Sequence, residues 1–365
     1  MSVIVVGAGV SGFSTAWALT KRGVSVTLLE QGPIPNPLSA SGDQHRIIRR
    51  AYGGQGGYQR RIGDAYAAWD EIWADLGQKH LVDTGFLLLS QIPGDEGETY
   101  LTGLKEGGYP VDEMTPAETA ARFPFVDPAT IRYGAFSAEG GVLLCQKIAG
   151  GIRDWLVNAG AHVRENAKVT SIDAAGGSVT LESGETLSAD HVVVAAGAWA
   201  PDLLPGLTRE LTTYRTAVVY LEPPADLKSA WENGPTILDV GGTVDGYVLP
   251  PVPGTGLKFG AGVHKYKSGP NDGRVAKDGE GEVIRNLFSP PFARIEEYKV
   301  TDVVTCAYTF TSDEHFFMKT EDRLSVVSAC SGHGYKFGAV VGQKVAEGVI
   351  SGDFDTARVW LEARD

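Results

Sequence analysis

Residues 3–6, Val-Ile-Val-Val, form an apolar run with no polar position inside it, the pattern of a parallel strand covered on both faces. The run enters Gly7-Ala8-Gly9-Val10-Ser11-Gly12. Ala16, Leu19 and Thr20 then recur at helical spacing until Lys21-Arg22-Gly23 closes the segment, and a second strand, residues 24–29, ends in Glu30. Further on, Tyr58, Ile62, Tyr66, Trp69, Trp73 and Leu76 mark one face of an amphipathic helix over 58–76, an aromatic stripe that reads as core. Residues 82–90 read as a strand, Thr115-Pro116-Ala117-Glu118 as a capping box opening a short helix, and 152–158 as a helix closed by Gly160. Val163, residues 168–172, 178–181 and 185–187 are short alternating runs separated by glycine pairs or Ser-Gly, which predicts a small antiparallel meander. A buried strand ending at a glycine follows, His191-Val192-Val193-Val194-Ala195-Ala196-Gly197-Ala198-Trp199. From about 207 to 305 the pattern is strand-like with Pro- and Gly-rich loops, as expected of a second, mostly antiparallel lobe.

The opening pattern carries chemistry. Strand, GxGxxG turn, helix, strand and terminal acid stand in the order of a dinucleotide-binding unit. The glycines permit the turn and the close approach of a pyrophosphate, and the helix N-terminus offers N–H groups to it. Glu30, 18 residues after Gly12, stands where ribose hydroxyls would be bound. The turn alone does not choose between FAD and NAD. No second GxGxxG follows, which argues against a flavoprotein with its own NAD(P)H domain, and a meander followed by VVVAAGAW is common in FAD proteins of the glutathione-reductase-like fold.

Composition narrows the setting. Glycine is in excess, 47 of 365 residues, without a collagen period, which suggests many tight turns and close backbone approaches. Net charge is −13, so no nucleic-acid or anionic-membrane partner is expected. No apolar run is long enough to span a bilayer, and no signal segment is read ahead of the first strand, so a cytoplasmic location is expected. Cys145, Cys306 and Cys330 suggest neither a disulfide framework nor a metal site.

Against that acidic background three clusters stand out. His45-Arg46-Ile47-Ile48-Arg49-Arg50-Ala51-Tyr52 is dense in cations suited to carboxylate or phosphate, or to a solvated face. Leu257-Lys258-Phe259-Gly260 places a lysine in a strand pattern, where a surface position is the ordinary reading. Ser331-Gly332-His333-Gly334-Tyr335-Lys336-Phe337 feeds a helix and resembles backbone brought against a ligand. By chemistry alone Cys306 reads as an inert core thiol.

With these residues in view the chain resembles the monomeric sarcosine oxidase family, within the D-amino-acid-oxidase-like flavoenzymes. The motifs RIIRRAYG (46–53), GLK (256–258), CAYTFTSDEHF (306–316) and SGHGYKF (331–337) occur in family order and approximate spacing. The resemblance implies an α/β fold, with a glutathione-reductase-like FAD-binding Rossmann domain from residues 1–80, 145–205 and 306–365. A mostly antiparallel β substrate domain from 81–144 and 206–305 would be interleaved with it. FAD contacts are expected at Gly7, Gly9, Val10, Ser11, Gly12, Glu30, Gln31, Val169, Ala196, Gly197, Trp199, Gly332, His333, Gly334 and Lys336. Cys306 matches the family's covalent flavin attachment, which reverses its reading as an inert thiol. Arg49 and Lys336 match a clamp for the substrate carboxylate, Arg46 an arginine beside the flavin ring, Lys258 the lysine that activates oxygen, and His333 a histidine beside flavin and substrate. Tyr52, Tyr247, Tyr308 and His264 are expected to line the substrate cavity.

Two departures leave the substrate's side chain open: Ser41-Gly42-Asp43-Gln44-His45 replaces a family Ser-His run, and His264 follows Lys258 by six residues instead of four. The implied reaction is oxidation of an N-methyl or cyclic secondary amino acid to an imine, with O2 reduced to H2O2 by a monomer. A deglycating (fructosyl amino acid) oxidase, a biosynthetic cyclic-imine oxidase or a flavin amine dehydrogenase would use the same scaffold. An aromatic hydroxylase would share the opening fingerprint but carry a late Gly-Asp motif, where this chain has Gly332-His333-Gly334.

Overall fold

The computed structural model describes residues 1–53, 55–240 and 244–364. The N-terminal apolar run is the strand Ser2–Val6, whose last four residues are buried. It pairs in parallel with Ser25–Leu29 on one side and His191–Val194 on the other. Helix Val10–Lys21 links the first two strands, and Gly23, at φ 78°, turns the chain back where a Cβ would be strained. The six-stranded sheet has the order 317–321, 324–328, 191–194, 2–6, 25–29, 162–164.

Val163 departs from its predicted place. It lies in His162–Arg164, an edge strand parallel to Ser25–Leu29, while the meander consists of Val169–Asp173, Ser178–Leu181 and Thr186–Ser188. Gly160, at φ 88°, ends the preceding helix and turns the chain into the sheet. That helix spans Cys145–Asn158, two turns longer than its sequence pattern suggested, because Gly150-Gly151 interrupt an apolar face formed by Cys145, Ile148, Ile152 and Leu156. The expected strand over 82–90 is likewise two strands. Leu81–Val82 and Phe86–Ser90 join different sheets, and Gly85, at φ 66°, makes the break between them.

The larger, eight-stranded sheet is antiparallel except where Thr236–Val240 meets Phe86–Ser90. It backs onto an aromatic core in which Phe125 and Trp231 stack at 3.7 Å beside Phe259, Phe288 and Phe292. Lys299–Phe310 is one of its strands, so residue 306 lies inside a strand of this sheet. A small fourth sheet, with Gly140–Leu144 between His45–Arg49 and Leu81–Val82, completes the strand framework.

Two close approaches set the geometry of the site. Helix Gly338–Ser351 crosses helix Val10–Lys21 so tightly that a Cβ at Gly342 would stand 2.3 Å from the Ser14 carbonyl carbon, and one at Gly338 would stand 2.1 Å from Val10 Cγ2. Trp69, from the predicted aromatic helix, here Gly56–Leu76, donates its indole N–H to the Lys336 carbonyl at 2.8 Å. The segment 331–337 is thus anchored on both sides. Among the described residues no helix is long and apolar enough to cross a membrane.

Candidate active site

At the N-terminal turn the glycines are sterically required. A Cβ on Gly12 would lie 1.8 Å from the Gly7 carbonyl oxygen, and one on Gly7, at φ 98°, 2.6 Å from the Ala195 oxygen. Glu30, at the end of the second strand, accepts the Ala8 N–H at 2.7 Å and an amide N–H of Asn36 at 2.9 Å, which fixes its carboxylate at the turn. A continuous cavity of about 860 Å³ begins here, between Gly7, Gly9, Val10 and Ser11 on one side and Glu30 and Gln31 on the other. It passes Val169, Ala196, Gly197 and Trp199 and ends among Arg46, Arg49, Tyr52, Tyr247, Tyr308 and the 332–336 loop. Gly12 packs beneath the turn, not on the wall.

The far end is built from two cations around one ring. Arg49 ends the strand His45–Arg49, with its guanidinium 4.6 Å from the Tyr52 ring centre and 4.7 Å from that of Tyr100. Lys336 Nζ stands 5.4 Å from the same Tyr52 ring, donates to the His333 carbonyl at 2.9 Å and lies 3.3 Å from the Tyr52 hydroxyl. Burial, reinforced by Arg49, holds the Lys336 ammonium well below the usual lysine range. An anionic ligand between the two cations would reverse that shift.

His333 is fixed at both nitrogens. Nδ1 lies 2.8 Å from the Tyr52 hydroxyl and Nε2 3.0 Å from the Glu314 carbonyl, an arrangement that suits the neutral Nε2–H tautomer. Burial first, then Lys336, depresses its pKa to about 3. Its ring C–H resonances are therefore expected to stay unmoved between pH 5 and 8 in an NMR titration. Movement with a midpoint near 6.5 would contradict the assignment. The linkage has the matching sign: the unfolded chain binds this proton more readily, so the contribution is present above pH 6.5 and is lost as pH falls toward 3.

Between the two ends lies a network that the sequence reading did not contain. Asp43 accepts from Arg46 Nη1 at 2.6 Å and from Lys258 Nζ at 2.9 Å on one oxygen, and from the Tyr220 hydroxyl at 2.6 Å on the other. Lys258 also donates to the His45 carbonyl and is fully buried, directly opposite Tyr220 in the large sheet. It stands behind the cavity wall, whereas Arg46 forms part of that wall and donates to the Tyr308 hydroxyl at 3.1 Å. Cys306, two residues from Tyr308 on the same strand, is buried behind the wall with Sγ 4.0 Å from Arg46 Nη2. Burial raises its thiol pKa, and Arg46 opposes the rise.

His264 is not where the sequence placed it. Four residues, 261–264, stand against Ala217 alone in a bulge between the strands Leu257–Lys267 and Thr212–Glu222. The bulge turns His264 away from the cavity, and its Nε2 meets the buried Glu280 carboxylate at 2.8 Å. Lys265 faces the cavity instead, near Glu314.

The FAD dependent oxidoreductase family profile (DAO) matches residues 2–348. The chain belongs to this family. It is 28% identical over 365 residues to the monomeric sarcosine oxidase of Arthrobacter sp. (strain TE1826), covering 96% of this chain and 92% of that protein. It is also 29% identical to the peroxisomal sarcosine oxidase of Homo sapiens, with 94% and 90% covered. The solved open form of NikD, an unusual amino acid oxidase essential for nikkomycin biosynthesis, superposes with a TM-score of 0.80 at 20% identity over 96% of this chain and 95% of that one. The chain is therefore a sarcosine-oxidase-like FAD-dependent oxidoreductase with the DAO fold.

As a DAO-family protein it has a cavity that suits its cofactor: a dinucleotide turn at one end, cations at the other and one continuous space between. Sequence reasoning missed Asp43, Tyr220 and the cavity residues Tyr100, Asp245 and Lys265. One signal was available for Asp43, because it sits within the 41–45 segment that departs from the family pattern. Asp245 left no such signal, since the contact that marks it joins residues seventeen apart in the chain. Its carboxylate fills the place where a side chain at Gly262 would begin, with a Cβ there only 1.8 Å from Oδ2.

Proposed function

We propose that this enzyme oxidises secondary α-amino acids, N-methyl or cyclic, to the imine, with O2 as electron acceptor and H2O2 as product. The observation that carries the reading is the pair of cations, Arg49 and Lys336, at the end of the cavity opposite the dinucleotide turn. They hold the substrate carboxylate by charge-assisted hydrogen bonds, which fixes the Cα–N bond in one orientation. Their charge also lowers the pKa of a substrate ammonium nearby, so that the amine lone pair is available. Tyr52, Tyr247 and Tyr308 wall the space for the substrate, and neutral His333 holds the Tyr52 hydroxyl in place.

FAD, when bound, supplies the two-electron acceptor. Arg46 provides positive charge on the cavity wall, and Lys258 provides it from behind, where a developing negative charge in the oxidative half-reaction is favoured. Cys306, whose thiol stands just behind the wall beside Arg46, is the attachment point this reading assigns to FAD. Acid-precipitated native protein is expected to keep its flavin absorbance, and a Cys306→Ser variant to lose it to the supernatant while still binding FAD before precipitation.

Anaerobic mixing with sarcosine, other N-methyl amino acids, proline, pipecolate and fructosyl-glycine, followed by air, tests the whole reading. Bleaching of the flavin by an N-methyl or cyclic amino acid with prompt return in air is the expected result. Bleaching with slow return would make the enzyme a dehydrogenase. No bleaching by the secondary amino acids would overturn the substrate class.

A further inference from the structure

We propose that Asp43 is a positioning residue for the oxidative half of the reaction: its carboxylate holds Lys258 in place behind the cavity wall and keeps it in the ammonium form. The inference rests on Lys258 serving the bound flavin, as proposed above. Asp43 is almost wholly buried, with 2% of its side chain exposed. It accepts four hydrogen bonds: Arg46 and Lys258 on Oδ2, the Tyr220 hydroxyl and the Gln44 N–H, the last at 2.8 Å, on Oδ1. A carboxylate gathering four donors, two of them cations, is more than a lysine partner. It sets the position of each.

Two cations sharing one anion leave a net charge of +1 in a region shielded from water. Without the anion the two would face each other at low dielectric, and the lysine would be the one to give up its proton. Among the described residues the titratable groups around Lys258 offer no substitute. From the segment 43–46 come Asp43, His45 and Arg46, from the strand Thr212–Glu222 comes Tyr220, from helix Cys145–Asn158 Cys145, and from the strand Lys299–Phe310 Cys306. Asp43 is the carboxylate among them. The His45 ring is buried, and burial together with the Lys258 ammonium keeps it neutral. Burial alone would raise the Asp43 carboxyl, but Lys258, Arg46 and Tyr220 together hold it well below the usual carboxylate range.

The test compares D43N, K258M and the double variant as holoenzymes. Asparagine keeps the shape of Asp43 and removes its charge. Two quantities are read from pH 6 to 9: the dissociation constant for sulfite, an anionic probe of positive charge at the flavin that needs no turnover, and the rate of reoxidation in air. K258M is expected to weaken sulfite binding and slow reoxidation by about 10²-fold. D43N is expected to match K258M at pH 9, to recover toward the native values at low pH as Lys258 regains its proton, and to add no further loss in the double variant. D43E, which keeps the charge, is expected to stay close to the native protein and carries the comparison if D43N does not retain FAD. A D43N effect that multiplies with that of K258M, or native behaviour of D43N, would overturn the inference. A K258M variant indistinguishable from the native protein would overturn both the inference and the reading of Lys258 it rests on, whereas a slow K258M beside a native-like D43N would sink only the role of Asp43.

Discussion

Arg49→Ala is expected to lower kcat/KM for an amino-acid substrate by about 10²–10³-fold, and Lys336→Met by a similar factor, because each removes one side of a buried charge-assisted contact worth about 2–5 kcal/mol. The two cations flank one ring, that of Tyr52, so their attraction converges on a single volume. Among the described residues the hydrogen bonds of Lys336 go to neutral oxygens, the His333 carbonyl and the Tyr52 hydroxyl, which leaves its charge for a ligand. Anaerobic flavin bleaching against substrate concentration measures the loss. A secondary amine lacking the carboxylate serves as control, since the variants should oxidise it about as well as the native enzyme does. Equal losses on both substrates would mean that the two residues support the fold or the flavin, not the carboxylate. The lowered Lys336 pKa adds a sign: binding of acetate or another simple carboxylate should take up a proton, and its affinity should fall as pH rises.

What could be read from the sequence was what neighbouring residues decide. The opening βαβ unit was legible because its strand, turn and helix each carry a local pattern, and the glycines at 7 and 12 admit no side chain. The meander was legible apart from Val163, whose partner strand lies more than a hundred residues upstream. The cation-rich segment 45–52 could not be sorted by inspection. Arg46 and Arg49 reach the cavity, while the adjacent Arg50 pairs with Glu139 at 3.0 Å and covers the Tyr66 ring at 3.8 Å. Pairing of His45–Arg49 with the distant Gly140–Leu144 sets that division. Asp43 escaped notice for the same reason. Its meaning comes from Lys258 and Tyr220, which reach it only once the large sheet has formed against the segment 43–49. Family resemblance located single positions such as Arg49 and Lys336. At His264 the match was already two residues out of step, and this chain's bulge turns the side chain to Glu280 instead of the cavity.

That displaced histidine belongs to the second large expected effect. Arg215→Met is expected to cost about 3–5 kcal/mol of stability, read as a lower midpoint in urea at neutral pH, because it strands a buried carboxylate. Arg215, 1% exposed, meets both oxygens of Glu280, with Nη2 to Oε2 at 2.7 Å. His264 and the Lys277 N–H complete the set of donors around that carboxylate. Burial works against the Glu280 charge, but Arg215 and His264 prevail and bring its pKa down to about 2 from the ordinary 4.5. The native protein therefore enjoys this contribution above pH 4.5 and loses it as pH falls toward 2, so the gap between native and variant should narrow in acid. The consequence reaches the cofactor. Arg215 Nε also holds the Gly273 carbonyl at 2.6 Å, in the same loop from which Asn271 accepts the indole N–H of the cavity residue Trp199 at 3.0 Å. Loosening that loop should raise FAD loss from a Cys306→Ser background, where no covalent link masks it. A variant as stable as the native protein and equally retentive of FAD would show that the Arg215–Glu280–His264 cluster is replaceable packing, with no hold on the flavin site.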